Sequence, residues 1–184
     1  LGEVKGLIIP AAIRPNNPDA YLKATPYTKT YNDTSQVVSD AEPQPGVTGT
    51  ISYLSDNGSW VNASEYRATS VGSYPVTWRI DGTGNYIGAA QKTVTGSITA
   101  AQIPDPTLVI KANPYTREYN GSPQIVANAE LVDTKYTGTF EYTFDNPSDP
   151  QAIWHAGENA EATNAGNYDV SLRFTANGNW TGSA

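Results

Sequence analysis

The sequence predicts an all-β chain made of two tandem copies of one small domain, and three observations point to it. The first is a repeat: Lys23-Ala24-Thr25-Pro26-Tyr27-Thr28-Lys29-Thr30-Tyr31-Asn32 returns 88 residues later as Lys111-Ala112-Asn113-Pro114-Tyr115-Thr116-Arg117-Glu118-Tyr119-Asn120. The second is apolar alternation with a period of two, where a helix would need apolar residues three and four apart. The third is the run of turn formers between the alternating stretches: Asp56-Asn57-Gly58, Asp81-Gly82, Asn120-Gly121 and Asn177-Gly178. A period near ninety residues is too long for a solenoid and suits a whole domain.

Taken in order, the chain opens on a segment that belongs to an end. Val4 to Ile13 matches Val94 to Ile103 at an offset of 90, so what begins the chain is what closes its first full copy. Residues 1–20 therefore read as the closing strand of a preceding repeat plus a linker, Arg14 to Ala20, rich in Pro and Asn. Repeat 1 follows at 21–104 and repeat 2 at 105–184. Within them, Tyr136, Gly138, Phe140, Tyr142 and Phe144 alternate with polar residues, as a half-buried strand requires, and Val47 to Ser55 is the weaker counterpart. Tyr74, Val76, Trp78 and Ile80 form a second such face, answered by Tyr168, Val170, Leu172 and Phe174. Lys92 to Thr99 closes repeat 1. Repeat 2 reaches Ala184 just past Gly178-Asn179-Trp180, so it reads as lacking its own last strand.

That register leaves one unpaired edge and one spare strand. It predicts head-to-tail strand exchange, in which residues 1–13 of one copy complete the second repeat of the next through Val4 to Ile9. The rival register starts each unit with this strand and gives domains 1–90 and 91–184. The short join from Ala101 to Pro106 predicts two repeats set end to end.

Composition excludes several roles. A net charge of −7 argues against a nucleic-acid or anionic-membrane surface, and no apolar run approaches spanning length. There is no Cys, which removes disulfides, thiol catalysis and thiolate metal sites.

Asn164-Ala165-Gly166-Asn167-Tyr168 ahead of an alternating strand, with Ser70-Val71-Gly72-Ser73-Tyr74 as its counterpart, suits a tyrosine corner, in which the hydroxyl bonds back to upstream backbone. Add the Tyr119-Asn120-Gly121 entry, Asp-Asn followed by Trp, the Gly-Asn-Tyr/Trp turn and a closing Val-x-Gly-x-Ile-Thr strand. The whole resembles the tandem immunoglobulin-like repeats, of the MBG type, of bacterial surface proteins. The resemblance implies two immunoglobulin-like β-sandwiches in a cell-wall-attached or secreted protein, serving adhesion or as a stalk, with a host glycan or protein as the unidentified partner and no cofactor.

Candidate chemistry is sparse. The sole histidine, His155, has no nucleophile or acid spaced to form a triad, so no catalytic residues and no enzymatic activity are expected. Trp60 and Trp154 align between the copies and are the aromatics best placed for display; stacked on sugars, they would make each repeat a carbohydrate-binding module of an extracellular glycoside-active enzyme. The bland alternative is an amphipathic Trp filling a sandwich edge. Lys23 with Glu42 and Asn85, and Lys111 with Glu130 and Asn179, occupy positions that some Gram-positive surface domains join through a Lys–Asn isopeptide bond beside a buried acid. Asp56, Asn57, Asp145, Asn146 and Asp149 do not reproduce a calcium loop, and turn chemistry explains them, so no metal is expected.

Overall fold

Every long alternating stretch forms a strand. The computed structural model describes residues 4–105 and 108–184, and the chain divides into two compact units, Leu1–Thr99 and Ala100–Ala184. Leu1 to Glu3 of the expected opening strand, and Pro106 of the expected join, lie outside the described residues.

The first unit contains β1 (Ala11–Ala12), β2 (Leu22–Pro26), β3 (Thr28–Thr30), β4 (Gln36–Pro43), β5 (Gly49–Leu54), β6 (Trp60–Asn62), β7 (Glu65–Ala68), β8 (Gly72–Gly82), β9 (Tyr86–Ile87) and β10 (Ala89–Thr99). A three-stranded sheet runs β2-β4-β7 and a five-stranded one β3-β10-β8-β5-β6. Both fill one core: Leu22, Ala24 and Ala41 come from the first sheet, and Val76, Trp78, Ile80 and Ala90 from the second. The alternation along β8 is complete, since Val76, Trp78 and Ile80 are buried and the residues between them are not. The indole N–H of Trp78 donates to the buried Ser39 hydroxyl at 2.8 Å.

The second unit contains β11 (Ala101–Gln102), β12 (Ile110–Pro114), β13 (Gln124–Leu131), β14 (Gly138–Thr143), β15 (His155–Ala156), β16 (Asn159–Ala162), β17 (Ser171–Ala176) and β18 (Trp180–Thr181). Its sheets β12-β13-β16 and β15-β14-β17 repeat β2-β4-β7 and β6-β5-β8. The small parallel pair β11·β18 repeats β1·β9. Even the irregularities recur: β4 and β13 each slip register at equivalent residues, between Val37 and Ser39 and between Ile125 and Ala127. Among the described residues, no strand holds in this unit the place that β10 holds in the first.

Both expected corners form. Tyr74 donates its hydroxyl to the Ser70 carbonyl at 2.5 Å, and Tyr168 to the Asn164 carbonyl at 2.6 Å. In each unit the turn before the late aromatic puts its glycine at positive φ, Gly84 at 63° and Gly178 at 68°. Asn85 and Asn179 do not adopt that conformation, contrary to the expected left-handed asparagines, because the neighbouring glycine takes it without a Cβ clash.

Three sequence-based expectations shift. Asp81-Gly82 does not break the chain; β8 runs through it, and a Cβ at Gly82 would sit 2.9 Å from Ile13 Cδ1. Residues Ala11 to Ile13 belong to the first unit, with Ile13 buried in its core and bonded to Ile87. The expected linker is tied down as well: Pro18–Ala20 form a 3-10 turn, Lys92 pairs with Asp19 at 2.5 Å, and Gln44 donates to the Asp19 carbonyl.

Candidate functional site

The aligned tryptophans sit at the free end of each unit's larger sheet, and both carry an arginine. Trp60 pairs with Leu54 across β5·β6, which points it to the same side of the sheet as Arg79 on β8. The Arg79 guanidinium lies 5.3 Å from the Trp60 ring centroid, and in the second unit Arg173 lies 4.0 Å from that of Trp154. Such a contact is worth about 0.5–1 kcal/mol at a partly exposed site.

A carboxylate holds each arginine, but from a different place. Arg79 binds Asp81, two residues along its own strand, at 2.5 Å. Arg173 binds Glu141 across β14·β17 at 2.8 Å. The position equivalent to Glu141 is Ser52, and the position equivalent to Asp81 is Thr175. The acid has moved while the Trp–Arg stack has stayed. The two arginines were missed in the sequence, although they stand as far apart as the two tryptophans and at outward positions of matching strands.

Both indoles are half-buried, with one face covered by guanidinium. His155 pairs with Tyr142 across β14·β15 and stacks on it, ring centroids 5.2 Å apart at 27°. That contact accounts for its position as an exposed strand residue.

Each lysine of the candidate isopeptide sets meets its glutamate across a strand pair. Lys23 bonds Glu42 at 2.7 Å and Lys111 bonds Glu130 at 3.3 Å, all four side chains more than half exposed. The hydrogen bond to Glu42 raises the Lys23 pKa above its ordinary value, so the amine stays an ammonium and not a nucleophile. Glu130 is held below the usual carboxylate value by hydrogen bonds from Asn113 and then Lys111, which keeps it ionised. Asn85 and Asn179 use their main-chain carbonyls to accept the N–H of Ala11 and Ala101. Isopeptide formation needs a neutral amine beside a protonated acid, and the surroundings of Lys23 and Glu130 favour the opposite states.

The acidic turns consume their own oxygens. Asn57, Asn146 and Asp149 each accept the backbone N–H two residues on, and Asp145 accepts from Ile153 at 2.9 Å. Among the described residues, no three acidic or histidine side chains gather as a metal-binding group.

No family model, curated protein or solved structure matches the chain. The internal comparison of its two units is therefore the source of equivalences.

Proposed function

We propose that the two units are immunoglobulin-like β-sandwich repeats of a bacterial surface protein, displayed outside the cell and serving adhesion or as an extended stalk, without an enzymatic role. The observation that carries this reading is where the repeated residues lie. The Tyr74 and Tyr168 corners, the Gly84 and Gly178 turns and the β1·β9 and β11·β18 pairs all serve architecture. The sandwich reading draws on the first unit, whose core is filled from two separate sheets.

Force spectroscopy on the chain tests the stalk. Two abrupt unfolding events are expected, each releasing roughly 30 nm at about 3.5 Å per residue for one unit. Smooth extension without such events would refute it.

One observation favours a second reading, a carbohydrate-binding module: Trp60 and Trp154 keep part of their surface open at equivalent places. Glycan-array binding lost in Trp154→Ala, with the circular dichroism spectrum unchanged, would establish that reading over a passive stalk.

A further inference from the structure

The first unit shows what fills the space beside Thr28–Thr30. There β10 lies antiparallel to β8 and parallel to β3, with Gly96 opposite Tyr74 and Ile98 opposite Gly72. Gly96 is in that register because nothing larger enters: a Cβ there would stand 1.9 Å from the Val38 carbonyl oxygen. Ile98, two residues on, is buried.

In the second unit the same space is an open groove of about 340 Å3, bordered by Tyr115, Arg117, Tyr119, Val126, Gly166 and Tyr168. Val126 is the counterpart of Val38, Gly166 of Gly72 and Tyr168 of Tyr74. Ala184 and Phe174 exchange both backbone bonds at 2.8 Å, as the Ala90↔Ile80 pairing would place them. Past that point β17 has no second neighbour among the described residues. Val170 and Leu172 are consequently only half-buried, whereas their counterparts Val76 and Trp78 are fully covered.

The chain also carries a segment of the right pattern with nothing to pair with. Val4 to Ile9 has no strand partner among the described residues, and Val4, Leu7, Ile8 and Ile9 are 98%, 85%, 97% and 73% exposed. Val4-x-Gly6-x-Ile8 reproduces Val94-x-Gly96-x-Ile98. We propose that residues 4–9 of a second copy of this chain occupy the groove of the second unit as its missing strand. The first unit's register, transferred, sets Gly6 opposite Tyr168 and over Val126, Ile8 opposite Gly166, and Ile9 beside Glu118.

Two features support this occupant. Lys5 falls opposite Asp169, an opposite-charge cross-strand pair that the Thr95↔Pro75 pair of the first unit lacks. The connection also has a precedent within the chain. Thr99 ends β10 in the first unit and Ala101 begins β11 in the second, with only Ala100 between; Ile9 and Ala11 are likewise separated only by Pro10. Donation of this kind is head-to-tail and propagates. It rests on the match between the two units and not on the proposed surface role.

Sedimentation of the 184-residue chain over a range of concentrations tests it. Reversible, concentration-dependent oligomers are expected from the wild type. Gly6→Val is the decisive variant: a Cβ at Gly6 meets nothing within 4 Å in the free chain, so folding is untouched, yet in the groove it would strike Val126. It should weaken association about ten- to a hundredfold. Lys5→Asp alone and Asp169→Lys alone should each weaken it about two- to fivefold, and the double variant should restore it. A monomer at every concentration, or oligomers indifferent to Gly6→Val, overturns the proposal. Oligomers that Gly6→Val abolishes but the double charge swap does not rescue overturn the register.

Discussion

The two units differ most where one has a strand and the other a groove. β8 spans Gly72–Gly82 between two neighbours and buries Val76, Trp78 and Ile80 in strict alternation. Its counterpart β17 begins only at Ser171, although Tyr168 and Val170 continue the same alternating pattern. The pattern is present in both; the second neighbour is not. An apolar period of two becomes a regular strand over its full length only when the backbone donors and acceptors on both sides are used.

The comparison also shows linked substitutions. Trp78 needs a hydrogen-bond acceptor and finds Ser39; Leu172 needs none, and the residue in Ser39's place is Ala127. Tyr53, Tyr66 and Tyr74 form an aromatic chain with ring centroids 5.1 and 6.4 Å apart. In the second unit Tyr66 is replaced by Ala160, and Phe144 from the neighbouring strand bridges Tyr142 and Tyr168 at 5.7 and 5.8 Å. Volume and polarity are kept in balance locally, one contact at a time.

The largest consequence falls on the core. Trp78→Ala should destabilise the first unit by about 3–5 kcal/mol, while Leu172→Ala, at a half-buried site, should cost the second only about 1–2 kcal/mol. Denaturant unfolding followed by far-ultraviolet dichroism would resolve the two transitions; equal costs would mean that the second unit is as well closed as the first. Ser39→Ala should cost about 1–3 kcal/mol by leaving the buried indole N–H unbonded. Made in the Trp78→Leu background, it should cost much less, and additive losses would break the linkage inferred between these positions.

Opening should be unequal too. Backbone amides of Ser171–Ala176 are expected to exchange with solvent sooner than those of Val76 to Ile80, because one flank of β17 lacks a strand. Equal protection in the monomer would count against the contrast.

The Trp–Arg stacks predict smaller, unit-specific effects. Glu141→Gln should loosen Arg173 from Trp154, and Asp81→Asn should loosen Arg79 from Trp60, each by about 1 kcal/mol or less. Tryptophan emission, measured with only one of the two indoles retained, should respond to the acid of its own unit and not to the other.

The smallest effect is one of pH. The hydrogen bond to Asp40, at 2.7 Å, raises the Tyr27 pKa above its ordinary value of 10.0. The resulting stabilisation is fully present below that value and is lost as pH rises through the higher folded-state pKa. Asp40→Asn, which installs the residue found at the equivalent Asn128, should return Tyr27 to the ordinary tyrosine range in an ultraviolet titration. An unchanged titration would show that the bond is not formed in solution.

The sequence by itself determined the all-β class, the ninety-residue duplication, the tyrosine corners and the alignment of Trp60 with Trp154. These depend on local properties, namely side-chain period, turn chemistry and self-similarity, which a linear reading retains. What it did not contain was pairing. That Arg79 and Arg173 cap the two tryptophans, with acids drawn from different strands, depends on which strands lie side by side. The same holds for Gly82, which looks like a turn residue until Ile13 is seen to occupy the space a side chain would need. Only the tertiary structure decided whether a strand's second edge is filled, and that decides why equal patterns at Val76 and Val170 are buried to different depths. Burial requires a neighbour, and neighbours in a sheet come from distant sequence.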